Sequence, residues 1–230
     1  ALIKKTIYCT GGDDLRKNLT GIYFDMTQNG KIRLVATDGH RMSMAEEDIE
    51  NNIVESFTLP KRAAIEIRKF IKDSEVVNMG VGKNFFICDD GQTSLLTRLV
   101  DAKFPDYKQV LPNNFNNTIK IEKKQIQEAL QRASVVLQEK NRGVRVYIGE
   151  KKIEIRAVSD DGEAIEELVI DKLTEPLDVG FNAKYLIDAL LSFDDKEVCL
   201  SVGDEVSPAC IFVSEEDKYK QLSVIMPMRV

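Results

Sequence analysis

Residues 21–47 read GIYFDMTQNGKIRLVATDGHRMSMAEE, and residues 143–169 read GVRVYIGEKKIEIRAVSDDGEAIEELV. Each has an alternating run, a polar turn (Gln28-Asn29-Gly30; Gly149-Glu150-Lys151) and a second alternating run. Period-two alternation broken by turn residues is the pattern of an antiparallel hairpin. The likeness continues outward. SFTLPKRAAIEIRKFIKD (56–73) lines up with PLDVGFNAKYLIDALLSFDD (176–195), each a short strand, a turn and a helix. Ile65, Ile67, Phe70 and Ile71 are expected to form the apolar face of the first helix, and Tyr185, Leu186, Ala189 and Leu190 that of the second. VVNMGVGKNFFICDDGQTSLLTRLV (76–100) and VCLSVGDEVSPACIFVSEEDKYKQLSVIMP (198–227) then read as further antiparallel strands with Gly/Asp turns. The offset is about 120 residues throughout, the size of a domain rather than of a solenoid repeat.

The second copy opens with a strand, TIKIE from Thr118, and a helix over residues 123–137. That helix matches residues 2–15, but the strand has no counterpart, so the first unit is expected to lack its opening strand. The connecting stretch FPDYKQVLPNNFNN (104–117) suits an extended linker, from its prolines and asparagines. The boundaries are expected at 1–112 and 113–230.

The chain has 230 residues, 43% hydrophobic and 30% charged, which suits a globular core rather than disorder. No apolar run approaches the ~18–20 residues of a membrane helix, and no signal peptide is visible. Cys9, Cys88, Cys199 and Cys210 have no zinc-type spacing and read as reduced thiols of a cytoplasmic protein. The net charge of −6 argues against a strongly basic nucleic-acid binder, although a basic face remains compatible with it.

Basic residues gather on the helices: Lys4, Lys5, Arg16 and Lys17; Lys61 and Arg62; Lys123, Lys124, Arg132, Lys140 and Arg142. They read either as a solvated face or as phosphate contacts without base readout; charge alone leaves both open. Catalysis finds little support. Asp38 and the only histidine, His40, flank Gly39 in ATDGHRM, but a lone Asp-x-His supplies at most two metal ligands. No G-x-S-x-G, P-loop, H-E-x-x-H or EF-hand loop occurs. A turn fixed by Asp38 is the simpler reading, and neither cofactor nor metal is expected. The chain ends on VIMPMRV (224–230), apolar and rich in methionine. It reads either as a frayed edge strand or as the wall of a groove that accommodates varied partners.

Together, ATDGHRM, FPDYKQVLP, RGVRVYI and VIMPMRV resemble the DNA polymerase III beta subunits, the bacterial DNA sliding clamps. The resemblance covers the whole chain. It implies an α+β DNA clamp fold of repeated domains, two helices on antiparallel sheets each, here the middle and C-terminal domains without the first. It implies a non-catalytic processivity factor that encircles double-stranded DNA as a head-to-tail homodimer. Its partners would be the polymerase III catalytic subunit, the clamp loader, and other polymerases and repair proteins. Lacking the first domain, this chain is expected to stay monomeric.

The resemblance also implies that the basic residues named above face DNA. It assigns a peptide-binding pocket to Leu19, Thr37, Gly39, His40, Arg41 and Met42, with Pro105 and Val110 from the linker. Val206 and the tail Val224, Ile225, Met226, Pro227, Met228, Arg229 and Val230 complete it. Partner peptides of the family carry a glutamine and a Leu/Phe-type ending. Met42 stands where leucine is common, a volume-conserving exchange; Gln109 replaces a usual basic residue and Pro208 a small polar one. The alternatives are a scaffold binding other apolar peptides at its tail, and an enzyme using Asp38 and His40.

Overall fold

A computed structural model of the chain describes residues 1–12, 16–27, 30–49, 54–71, 76–112, 117–138, 142–149, 151–171, 176–213 and 220–230. Leu15, Gln28, Asn29, Lys140 and Glu150 lie outside them. The chain divides into two compact units, Ala1–Val110 and Leu111–Val230.

In the first unit, β1 (Gly21–Asp25), β2 (Lys31–Thr37), β3 (Arg41–Asp48) and β4 (Ser56–Pro60) form an antiparallel sheet in the order β4-β1-β2-β3. A second sheet holds β5 (Asn78–Val81), β6 (Phe85–Asp89) and β7 (Ser94–Arg98), in that order. Helices α1 (Leu2–Thr6) and α2 (Lys61–Phe70) complete the unit. Inward-facing alternate residues of both sheets, with Ile3, Ala64 and Ile67 of the helices, make one apolar core. Phe24 stacks on Phe57 at 4.9 Å between ring centres, and both rings meet Phe86.

The second unit repeats this plan. β9 (Gly143–Gly149), β10 (Lys152–Ser159), β11 (Gly162–Val169) and β12 (Leu177–Asn182) pair in the order β11-β10-β9-β12. β8 (Thr118–Glu122), β13 (Glu197–Ser201), β14 (Ala209–Phe212) and β15 (Gln221–Ile225) pair in the order β15-β14-β13-β8. Helices α3 (Lys123–Ala133) and α4 (Ala183–Ser192) bury Ile126, Leu130, Leu186 and Leu190. Asn182 caps α4 by accepting the Tyr185 N–H. β13 lies between β8 and β14; its counterpart β5 pairs only with β6 among the described residues.

Three expectations need correction. The first helix does not run to residue 15: α1 ends at Thr6, and one 3₁₀ turn, Ile7–Cys9, follows. Thr10 is extended and opens a Thr-Gly-Gly stretch that disfavours helix. Ile65 does not share the buried face of α2; it is 37% exposed, whereas Ala64 and Ile67 are buried. Positions 65 and 67 are about 200° apart around a helix, so one face cannot bury both. Finally, the linker is not extended throughout, because Tyr107–Val110 forms a 3₁₀ turn.

Two aromatic anchors explain that turn. The buried Phe104 ring stacks on Tyr23, centres 4.7 Å apart. The buried Tyr107 hydroxyl donates to Asp25 Oδ2 at 2.7 Å and accepts from Arg33 Nη1 at 3.0 Å. Arg33 also binds Glu46, which receives Lys31 Nζ at 2.7 Å. Burial and the bond to Asp25 push the Tyr107 hydroxyl up to about 12. Burial alone would raise Asp25, but bonds from Thr27 and Tyr107 outweigh it and hold the carboxyl below its usual range.

Candidate peptide-binding residues and the basic helices

The ATDGHRM stretch closes the β2–β3 hairpin. Asp38 N–H donates to the Arg41 carbonyl at 3.3 Å, leaving Gly39 and His40 as the central turn residues. Gly39 has φ +93°, open to glycine and strained for other residues. Asp38 Oδ1 accepts the N–H groups of His40 (3.0 Å) and Arg41 (3.1 Å), and Oδ2 accepts Arg41 Nε at 3.0 Å. Thr37 Oγ1 donates to the Arg41 carbonyl at 2.7 Å and accepts from Gly39 N–H at 3.1 Å. The Arg41 guanidinium reaches the Tyr8 carbonyl (3.0 Å) and lies 5.4 Å from the Tyr8 ring centre. Both oxygens of Asp38 are therefore committed to the turn, and His40 is exposed beside it.

Around this turn the remaining first-unit residues divide. Leu19 and Met42 are buried, while Pro105 and Val110 are exposed on the linker. A Cβ placed on Gly39 would lie 3.3 Å from Arg16 Nη2 and 4.0 Å from Leu19 Cδ1. Arg16, read from sequence only as a charge facing DNA, thus stands beside the turn. Its type and spacing carry no signal of that neighbour.

In the second unit the tail follows β15. Val224 and Ile225 are buried strand residues, whereas Met226 and Met228 are each 40% exposed. An open groove of about 710 Å³ is lined by Arg145, Asp178, Val179, Gly180, Glu205, Val206 and residues 226–230. Val206 sits on a turn held by Asp204, whose Oδ1 accepts Val206 N–H (2.9 Å) and Ser207 N–H (2.6 Å). Those two bonds and the Ser207 hydroxyl hold the Asp204 carboxyl below its usual range. The groove combines exposed thioethers and valines with a charged rim, a surface suited to an extended apolar segment.

The basic residues are less uniform than their count suggests. Lys4, Lys124 and Arg62 are exposed on their helices; Lys5, Lys61 and Arg142 are half-buried; Arg16 and Lys17 are exposed. Lys123 Nζ donates to the Phe193 carbonyl at 2.7 Å. Arg132 grips Glu166 through Nε and Nη2 at 3.0 and 2.6 Å, and Lys124 lies 3.7 Å from Glu128. The matching helix α4 has one base, Lys184, paired with Asp188 at 2.8 Å. Cys9, Cys88, Cys199 and Cys210 are unbridged, and burial pushes the Cys210 thiol up to about 12. Among the described residues no group of three or more His, Cys, Asp or Glu side chains could hold a metal. No described helix is long and apolar enough to cross a membrane.

Repeated units of two helices on antiparallel sheets define the DNA clamp fold. A solved DNA polymerase sliding clamp from Pseudomonas aeruginosa matches all of this chain, at 29% identity and TM-score 0.93, over 63% of its own length. The chain belongs to the DNA polymerase III beta subunit family: the central-domain model matches residues 1–106 and the C-terminal-domain model residues 108–229. The beta sliding clamp of Proteus mirabilis is 32% identical over 233 residues, and that of Escherichia coli 30% over 234. The chain spans 63% of the length of these curated relatives. A P. aeruginosa sliding clamp bound to griselimycin is also similar, at 29% identity and TM-score 0.92, covering all of this chain and 62% of that one.

Proposed function

We propose that this chain is the middle and C-terminal part of a DNA polymerase processivity clamp, a cytoplasmic binding protein without catalytic residues or cofactor. The observation that carries the reading is the repeated clamp unit along the whole chain, in a member of the beta subunit family. The middle domain is taken to end at residue 112 and the C-terminal domain to begin at 113. In the intact homodimer, double-stranded DNA passes through a closed ring, and Lys4, Lys5, Arg16, Lys17, Lys61, Arg62, Lys123, Lys124, Arg132, Lys140 and Arg142 neutralise its phosphates. Such contact needs charge rather than base-reading geometry.

The polymerase III catalytic subunit, the clamp loader, other polymerases and repair proteins bind through short peptides. The residues proposed to receive them are Leu19, Thr37, Gly39, His40, Arg41, Met42, Pro105 and Val110 in the first unit. In the second they are Val206 and Val224, Ile225, Met226, Pro227, Met228, Arg229 and Val230. The committed carboxylate of Asp38 and the exposed thioethers of the tail support binding rather than catalysis. Burying a leucine and a phenylalanine contributes about 1.5–3 kcal/mol each before binding costs. Those two side chains together supply about 3–6 kcal/mol, so the micromolar affinity expected, about −8 kcal/mol, also needs hydrogen bonds from the glutamine and the peptide backbone.

Fluorescence anisotropy of a labelled Gln-Ala-Ala-Leu-Phe peptide tests this. Saturable micromolar binding, weakened by Met226→Ala, is expected. Equal binding of scrambled apolar peptides would favour a generic scaffold, and no binding by the folded chain would overturn the reading.

A further inference from the structure

Among the described residues β12 is an edge strand, paired with β9 on one side only. The tail lies against its other side: Met228 N–H donates to the Gly180 carbonyl at 2.9 Å. The φ of Gly180 is not positive, so its conformation does not demand glycine. Space does. A Cβ at position 180 would collide with the Met228 carbonyl oxygen and lie 2.6 Å from Val230 Cγ2 and 3.3 Å from Val230 Cβ. Two of the three obstacles belong to backbone or to a branched Cβ, neither of which swings aside as the end of a flexible chain can. Any side chain at 180 therefore lifts residues 228–230 off the strand.

We infer that Gly180 is a positioning residue for peptide binding: its bare Cα is the seat on which the C-terminal tail rests, and that seat fixes where Met226 and Pro227 stand on the groove. The inference rests on the proposed peptide-binding reading and adds to it a residue that acts by holding the tail in place. The seat holds a segment that is otherwise weakly tied. Beyond β15 the tail carries exposed Met226, Met228 and Val230, and few buried apolar contacts keep it in place. A segment of this kind binds well only while its backbone is already where the ligand needs it, because ordering it on binding subtracts from affinity.

The test compares the parent chain with Gly180→Ala in two measurements: affinity for the labelled Gln-Ala-Ala-Leu-Phe peptide, and hydrogen–deuterium exchange of the Met228 amide and of the β9 amides. The expected result is an affinity about tenfold lower, the scale of one or two lost interactions, with faster exchange at Met228 and unchanged protection along β9. Unchanged affinity in Gly180→Ala would overturn the inference while leaving the peptide reading intact. Loss of protection along β9 would also overturn it, since glycine would then serve the sheet rather than the tail. A folded parent chain that binds no peptide would overturn the peptide reading and the inference together.

Discussion

Tyr107 joins a buried carboxylate to a guanidinium, and its hydroxyl serves both. Tyr107→Phe keeps the ring packing but removes a donor from Asp25 and an acceptor from Arg33. The expected cost is about 1–3 kcal/mol, read by urea unfolding at neutral pH. The pH dependence follows from the shifts. Asp25 and Glu46 sit below their usual range, because hydrogen bonds to each outweigh the effect of burial. Their contribution is present above the unfolded carboxyl values near ~4 and is lost as pH falls through the lower folded ones. The Tyr107 contribution has the opposite sense: it is present below the unfolded value of ~10 and is lost as pH rises through about 12. The stability gap between parent and Tyr107→Phe should therefore narrow toward both extremes of pH. A gap that stays constant across pH would contradict the coupling of the Tyr107 hydroxyl to the ionisation of Asp25 and to its own. At Gly39, a valine would force a β-branched residue to φ +93°. That costs on the order of 1–3 kcal/mol and should weaken peptide binding by displacing His40.

At the scale of elements, α2 separates burial from mere hydrophobicity. Ile67 is 3% exposed and Ile65 is 37% exposed. Ile67→Ala should cost about 2–5 kcal/mol, and Ile65→Ala about 0.5 kcal/mol, measured as shifts in denaturation midpoint. Equal losses would contradict the assigned face. The hairpins and the later strands were legible in the sequence because period-two alternation reports a half-buried sheet directly. The extent of α1 was not. Leu2, Ile3, Ile7 and Tyr8 continue an apolar pattern that suggests more helix than Leu2–Thr6, and Thr10-Gly11-Gly12 stops it. The anchoring of the linker was equally hidden. Prolines and asparagines describe local backbone preference, whereas the partners of Phe104 and Tyr107 are Tyr23, Asp25 and Arg33, some eighty residues away. The neighbour of Gly39, Arg16, is likewise a product of packing.

For the whole molecule, the repeat is what sequence conveys best, since two copies of one pattern support each other. Charge conveys less. The acidic total hides bases on the helices, and several of those bases are already paired, Arg132 with Glu166 and Lys184 with Asp188. Binding of this chain alone to duplex DNA should therefore be weak and fall steeply with salt. If the methionine-rich tail receives partner peptides, its own methionines report the contact. Methyl NMR of the labelled chain, titrated with the Gln-Ala-Ala-Leu-Phe peptide, should move Met226 and Met228 while Met79, on β5 of the first unit, stays still. Saturable binding that leaves both tail methyls unmoved would rule out the tail as the surface that receives the peptide.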